Sequence, residues 1–143
     1  SASQKRFKAI MVDVGLVQRL CGLRADLEYA RRDLLKVFQG ALAEQFVGQE
    51  LLAASGGELY YWARAERGST AEVDYLIDVA GRVTPIEVKA GPAGRLRSLR
   101  MLLERYPQAA PGVVVSSAAY GTLPAQQLIF VPLYYAGAVA SAS

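Results

Sequence analysis

The sequence predicts a mixed α/β domain, and three stretches carry that expectation. Residues 72–79 and 83–89 alternate, are rich in Val, Ile and Tyr, and are separated by Ala80-Gly81, which reads as an antiparallel hairpin. Residues 34–54 place Leu35, Phe38, Leu42, Phe46 and Leu52 at helical spacing and are stopped by Gly56-Gly57, so they read as the longest helix. Residues 112–116 are a short apolar run of the kind expected for a buried strand.

The other elements are expected around these three. Lys5-Arg6-Phe7-Lys8 is a basic lead-in whose lysines read as solvated, and Asp13 caps a short helix carrying Leu16, Val17 and Leu20, ended by Gly22. Residues 25–35 have a mixed pattern that assigns no element. On the long helix Gly40, Glu44 and Gly48 fall four apart and form one line, where the glycines let another backbone come close. Residues 59–63 have strand composition and pass through the turn-like residues 66–70 into the hairpin, giving three antiparallel strands in succession. After Gly91-Pro92, residues 94–105 form an amphipathic helix with Leu96, Leu99, Leu102 and Leu103 inward. Residues 128–133 are the expected last strand, Pro132 favouring a sheet edge, and residues 140–143 read as a frayed end. The expected order is α-β-β-β-α-β, a mixed sheet with the antiparallel meander at its centre and helices flanking it.

Composition narrows the chemistry. The 143 residues suit one domain, 1–143, and the formal charge of +3 permits nucleic-acid contact without arguing for it. With no histidine there is no Ser-His-Asp or Cys-His pair, no imidazole base and no His-ligated metal, so catalysis must use carboxylates, lysine, a hydroxyl or a metal. Cys21 is the only cysteine, which excludes an intrachain disulfide and a cysteine zinc site and suits a reducing, cytoplasmic setting. The longest apolar run, residues 128–140, is broken by Pro132 and too short to span a bilayer, and no phosphate-binding Gly-X-X-X-X-Gly-Lys-Ser/Thr loop is present.

A turn symmetric about Ala80-Gly81 sets Asp74 opposite Glu87 and Glu72 opposite Lys89, with facing Cβ atoms about 5 Å apart. Glu72, Asp74, Leu76, Pro85, Glu87 and Lys89 then share one face, and Val73, Tyr75, Ile77, Ile86 and Val88 the other, core-facing one. Opposed carboxylates repel unless a cation lies between them, and Asp74 with Glu87 would suffice for magnesium, which keeps several waters. A wet hairpin face with an ordinary Glu72–Lys89 ion pair is the other reading of the same residues. Glu44 is either a solvent-facing helical glutamate or an acid reaching a neighbouring site. Arg95, Arg97 and Arg100 form the best basic cluster, open to phosphate binding or to simple solvation, and Arg67 lies in the turn before the hairpin.

These pieces resemble the PD-(D/E)XK nuclease superfamily. They resemble more closely the uncharacterised domain (domain of unknown function 4143) found C-terminal to the ATPase core of prokaryotic AAA-type ATPases. The matching residues run in order over most of the chain: Asp13-Val-Gly15-Leu16, Gly40, Glu44-Gln-Phe-Val47, Glu50-Leu51, Tyr60-Tyr61, Glu72-Val-Asp74-Tyr-Leu76, Ile86-Glu-Val-Lys89 and Ser98-Leu99. Val73 stands where the motif has proline. The resemblance implies a restriction-endonuclease-like core in the C-terminal part of a longer ATPase-containing protein. It also implies a site of Asp74, Glu87, Lys89 and Glu44, with Asp74, Glu87 and Glu44 holding Mg2+ or Mn2+ and Lys89 near the attacking water. Because the helix of Arg95, Arg97 and Arg100 leaves that site, these arginines and Arg67 are the residues expected to meet nucleic acid. The activity implied is metal-dependent endo- or exonucleolytic hydrolysis of phosphodiester bonds. The other reading is a nuclease-fold module that binds nucleic acid or protein for an ATPase and leaves the chemistry unused. The partners expected are nucleic acid, DNA before RNA, the ATPase portion and a second copy of the chain in a homodimer, with no membrane.

Overall fold

Ala80 and Gly81 take φ of 52° and 80°, the two-residue turn whose twist matches that of the strands it joins. The Gly81 amide donates to Asp78 Oδ1 at 2.7 Å, which holds the turn. The computed structural model describes residues 8–20, 32–66, 69–90 and 96–141. Its elements are α1 (Val14–Leu20), α2 (Arg32–Ala54), β1 (Tyr60–Glu66), β2 (Ser69–Val79), β3 (Arg82–Lys89), α3 (Arg97–Arg105), β4 (Gly112–Ser116), β5 (Gly121–Leu123), β6 (Leu128–Pro132) and α4 (Ala136–Ser141). Asp13 Oδ1 accepts the Leu16 amide at 3.0 Å and caps α1 as expected. The end of α2 turns through Gly56 and Gly57, both at positive φ, with the Gly57 amide returning to the Leu52 carbonyl.

The fold is mixed α/β, a six-stranded mixed sheet in the order β1-β2-β3-β4-β6-β5 with helices on both faces. β1, β2 and β3 are the expected meander, but they form one half of the sheet and not its centre. β3, β4 and β6 run parallel in the middle, with Lys89, Ser116 and Pro132 side by side where they end. Gly-Val-Val-Val-Ser at 112–116 is buried throughout because β3 and β6 flank it and helices cover it above and below. β6 is not the edge. The three-residue β5 pairs outside it from Leu128 to Phe130, so Pro132 lies beyond the paired stretch and deprives β5 of no amide. Neither β5 nor α4 is expected from the sequence, and the segment read as frayed continues as helix to Ser141.

Two apolar layers hold the sheet. On one face Val47 and Leu51 of α2 pack with α4 over Tyr75, Ile77, Ile86 and Val88; on the other Leu99, Leu102 and Leu103 of α3 pack over Val73, Val114 and Leu128. The four leucines expected to face inward at the start of and along α3 are all buried, each worth about 2 kcal/mol of transfer free energy. The stripe on α2 sits differently: Val47 and Leu51 are fully buried, Ala43 and Phe46 pack beside them, and Leu42 and Leu52 are flanks. The side chains of Leu35 and Phe38 lie outside the described residues. Because helices cover both faces, the face of the hairpin expected to be wet is partly covered: Leu76 and Pro85 lie against or within the core, while Glu72 stays exposed and, at the turn end, Asp78 and Val83 are exposed.

Candidate functional site

The hairpin register is the expected one, from Val79↔Arg82 to Tyr75↔Ile86. On its other side β2 is irregular: Tyr60 pairs Leu76 and Trp62 pairs Val73, so β2 carries one more residue than β1 in this interval. Such a bulge re-aims side chains. Val73 consequently joins the layer under α3 while Tyr75 and Ile77 join the layer under α2, which separates residues that strict alternation puts on one face. Asp74 sits in this irregular interval, and its Oδ2 accepts the Val88 amide at 2.8 Å, a carboxylate hydrogen-bonded to the backbone of the neighbouring strand.

Glu87, one residue back on β3, is buried, its side chain 9% exposed. Lys89 Nζ lies 2.6 Å from its Oε1, and its Oε2 has no hydrogen-bond partner. Burial pushes the Glu87 carboxyl above the ordinary range and the charge of Asp74 adds to this, with Lys89 offsetting part. Asp74 is raised too, by burial first and by the charge of Glu44, against the Val88 hydrogen bond and Lys8. Two carboxyl groups raised by burial, Asp74 further by the charge of Glu44 and Glu87 by that of Asp74, are poised to take up a proton or a cation.

Lys8 is the residue that sequence reading missed. Its ammonium is 2.8 Å from Glu44 Oε1, 2.7 Å from Glu72 Oε1 and 3.5 Å from Asp74 Oδ1, with the side chain 20% exposed. The rings of Tyr61 and Tyr75 lie 5.6 and 5.5 Å from it. Burial opposes its charge, but the hydrogen bonds to Glu44 and Glu72 and the charge of Asp74 prevail, so the pKa of Lys8 is raised and the group stays protonated. The chain before α1 is pinned to α2: Gln45 Nε2 donates to the Ala9 carbonyl at 2.8 Å, its Oε1 accepts the Met11 amide at 2.9 Å, and Gln49 Nε2 donates to the Met11 carbonyl at 2.5 Å. The lead-in lysine expected to be solvated is thus an interior counter-ion. Its positive charge was the only signal in the sequence, and nothing there pointed to a partner so far along the chain.

Glu44, Asp74, Glu87 and Lys89 therefore gather at one place, joined by Glu72. The Glu72–Lys89 pair does not form, because Glu72 engages Lys8 and Lys89 engages Glu87. Ser98 Oγ accepts the Glu72 amide at 3.3 Å and ties the start of α3 to this end of β2. Arg97 is exposed on that first turn, whereas Arg100 hydrogen-bonds Gln126 at 2.5 Å, before β6 begins and at the opposite end of the parallel strands from Lys89. Arg67 and Arg95 lie outside the described residues. Among the described residues no three His, Cys, Asp or Glu side chains are arranged as a metal-ligand group. Asp74 and Glu87 supply the hard oxygen donors that magnesium or manganese takes when waters complete its shell, and the unpartnered Glu87 Oε2 is a donor still to be used.

Residues 39–135, about two thirds of the chain, match the model of a family described as a domain of unknown function (DUF4143). No curated protein and no solved structure matches the chain. Among the described residues no helix is long and apolar enough to cross a membrane.

Proposed function

The chain belongs to the DUF4143 family, and from that premise we propose that it is a PD-(D/E)XK-like domain that hydrolyses phosphodiester bonds of nucleic acid, working beside an ATPase portion of a longer protein. The observation that supports this best is Glu87. Its buried Oε2 lacks a partner while burial, and then the charge of Asp74, raise its pKa and Lys89 holds its other oxygen, and a buried unsatisfied carboxylate in a native fold calls for an ion, a water or a proton. Asp74 and Glu87 would hold magnesium or manganese, which when bound supplies a water of lowered pKa and neutralises charge on the phosphate. Lys89, already at hydrogen-bond distance from Glu87, is the ammonium available to orient that water or a phosphate oxygen. Arg97 stands exposed on the helix tied to Glu72, in reach of a phosphate backbone passing that end of the sheet.

One observation favours a second reading. Lys8 already neutralises part of the acid cluster, as it would in a nuclease-fold module that binds nucleic acid or protein for an ATPase without cutting. One experiment separates the two. Purified protein with Mn2+ or Mg2+ is incubated with single- and double-stranded DNA and RNA, alongside Glu87→Ala and Lys89→Ala. Cleavage by the parent and loss of about a hundredfold or more in each variant is expected for the nuclease. Cleavage unchanged in both variants, or none by the parent on any substrate, overturns it.

A further inference from the structure

None of the chain's 16 Lys and Arg or 13 Asp and Glu lies after Arg105, whereas a typical domain carries a charge at about one residue in four. Residues 106–143 therefore build an uncharged part of the molecule from β4, the edge strand β5, β6, α4 and the loops between them. Strand β4 is interior, but residues 117–120 and 122–127, Tyr134 and Tyr135 are exposed. A surface that charge ordinarily keeps in solution carries here tyrosine, leucine, amide and small side chains. The tyrosines project for a local reason. Leu133–Tyr135 is one 3-10 turn with three residues per turn, so Leu133 packs on the layer under α2 while Tyr134 and Tyr135 point away, their rings 5.0 Å apart and tilted by 47°. They are 78% and 57% exposed, and Tyr120, from the loop after β4, is 68% exposed. All three line a hollow of about 470 Å3 together with Val131, Pro132 and Val139.

We infer that this face is a homodimer interface, on which the tyrosines of one copy seat against the hollow of a second. Charge selects the occupant. Nucleic acid needs lysine or arginine for its phosphates, and residues 106–143 supply neither. A strongly charged protein finds no complement there, whereas a second copy brings its own uncharged face at no like-charge cost. Shape agrees, because projecting rings and a hollow on one patch are what a two-fold axis makes self-complementary. Interface centres are rich in tyrosine and poor in charge, with polar groups at the rim. The rim charges here are Glu50, whose carboxylate comes against Gly137, and Arg100, bonded to Gln126. Among the described residues no strand pairs outside β5, and β5 carries none of the charge that usually blunts a sheet edge. The inference is independent of the nuclease reading, whose residues all lie before Arg105.

Sedimentation equilibrium and light scattering of the purified 143-residue chain test this, over about 1 to 100 µM, where an interface of ordinary size is measurable. The parent should be a dimer, and Tyr134→Glu and Tyr134→Lys should each weaken it at least about thirtyfold, the size of a hot-spot residue. Mixing these two variants should restore a dimer that neither forms alone, a recovery that a damaged fold could not give. Leu123→Lys on β5 should also weaken the dimer and carries the comparison if a Tyr134 variant loses the parent's circular dichroism. Tyr60→Lys, at a residue 61% exposed on β1 at the other edge of the sheet, should leave the dimer intact. A parent that is monomeric throughout, or a dimer that none of the patch variants weakens, overturns the proposal. A monomeric parent whose affinity for labelled single-stranded DNA falls at least about tenfold in Tyr120→Ala and Tyr134→Ala overturns it too, and assigns the tyrosines to base stacking. A tyrosine-dependent dimer that cuts no nucleic acid upholds the proposal and removes the nuclease reading; cleavage by a monomeric protein does the reverse.

Discussion

Replacing Gly48 by alanine brings a methyl carbon to 2.6 Å from the Tyr75 hydroxyl oxygen, 3.1 Å from its Cζ and 3.0 Å from Ile10 Cδ1. Comfortable separation is about 3.5 Å, so the tyrosine must yield by nearly 1 Å. It has little room: Tyr75 is 2% exposed and its hydroxyl donates to the Glu44 carbonyl at 2.7 Å. Overpacking of this kind costs about 1–3 kcal/mol and the strained hydrogen bond about 1 kcal/mol more, against a helix-propensity gain of about 1 kcal/mol. The expected net effect of Gly48→Ala is a destabilisation of about 1–3 kcal/mol, read as a lower urea midpoint at unchanged slope. Gly40 is the control in the same helix. Nothing lies within 4 Å of its added Cβ, so Gly40→Ala should stabilise by up to about 1 kcal/mol. In a Tyr75→Phe background the nearest clash is gone and the Gly48→Ala penalty should shrink, a coupling that a double-mutant cycle measures. A Gly48→Ala protein at least as stable as the parent would refute the packing assigned to Tyr75, and with it the geometry that brings Glu44 to the site.

Two further outcomes concern stability. With metal removed by EDTA, Glu87→Gln should be more stable than the parent at neutral pH. The folded state raises the Glu87 pKa, so the stability that its protonated form contributes is present below the ordinary carboxylate range and is lost as pH rises through the raised value; the neutral amide escapes that loss. The advantage should therefore fade as pH falls into the ordinary carboxylate range, and a difference independent of pH in thermal melts would contradict the assignment. At the hairpin turn, Ala80 holds φ 52°, which a side chain with Cβ adopts at a cost, so Ala80→Asn should raise stability by about 0.5–1 kcal/mol, and a loss by denaturant titration would argue against this turn geometry.

How much was legible depends on how local the signal is. The hairpin register followed from alternation and a two-residue turn, and the pairing from Tyr75 to Val79 bears it out. The inward leucines of α3 followed from helical spacing. β5 and α4 escaped because three and six residues are too short to show a period. The bulge beside Asp74 escaped because β2 reads as unbroken alternation and the extra residue exists only relative to β1. Gly48 was legible as a point of close approach, though what approaches is the Tyr75 hydroxyl and Ile10 and not a neighbouring backbone; Gly40 meets nothing.

The sequence by itself determined the kinds and order of the elements other than β5 and α4, the hairpin pairing and a chemistry without histidine, because each of these is written in neighbouring residues or in composition. Only the tertiary structure decided which strands are central, that helices cover both faces of the hairpin, and that Lys8 meets acids 36 and 66 residues further along the chain. The physical reason is that charge pairing and burial act through space: a lysine in a basic lead-in looks solvated until a pinned arm carries its ammonium among three carboxylates.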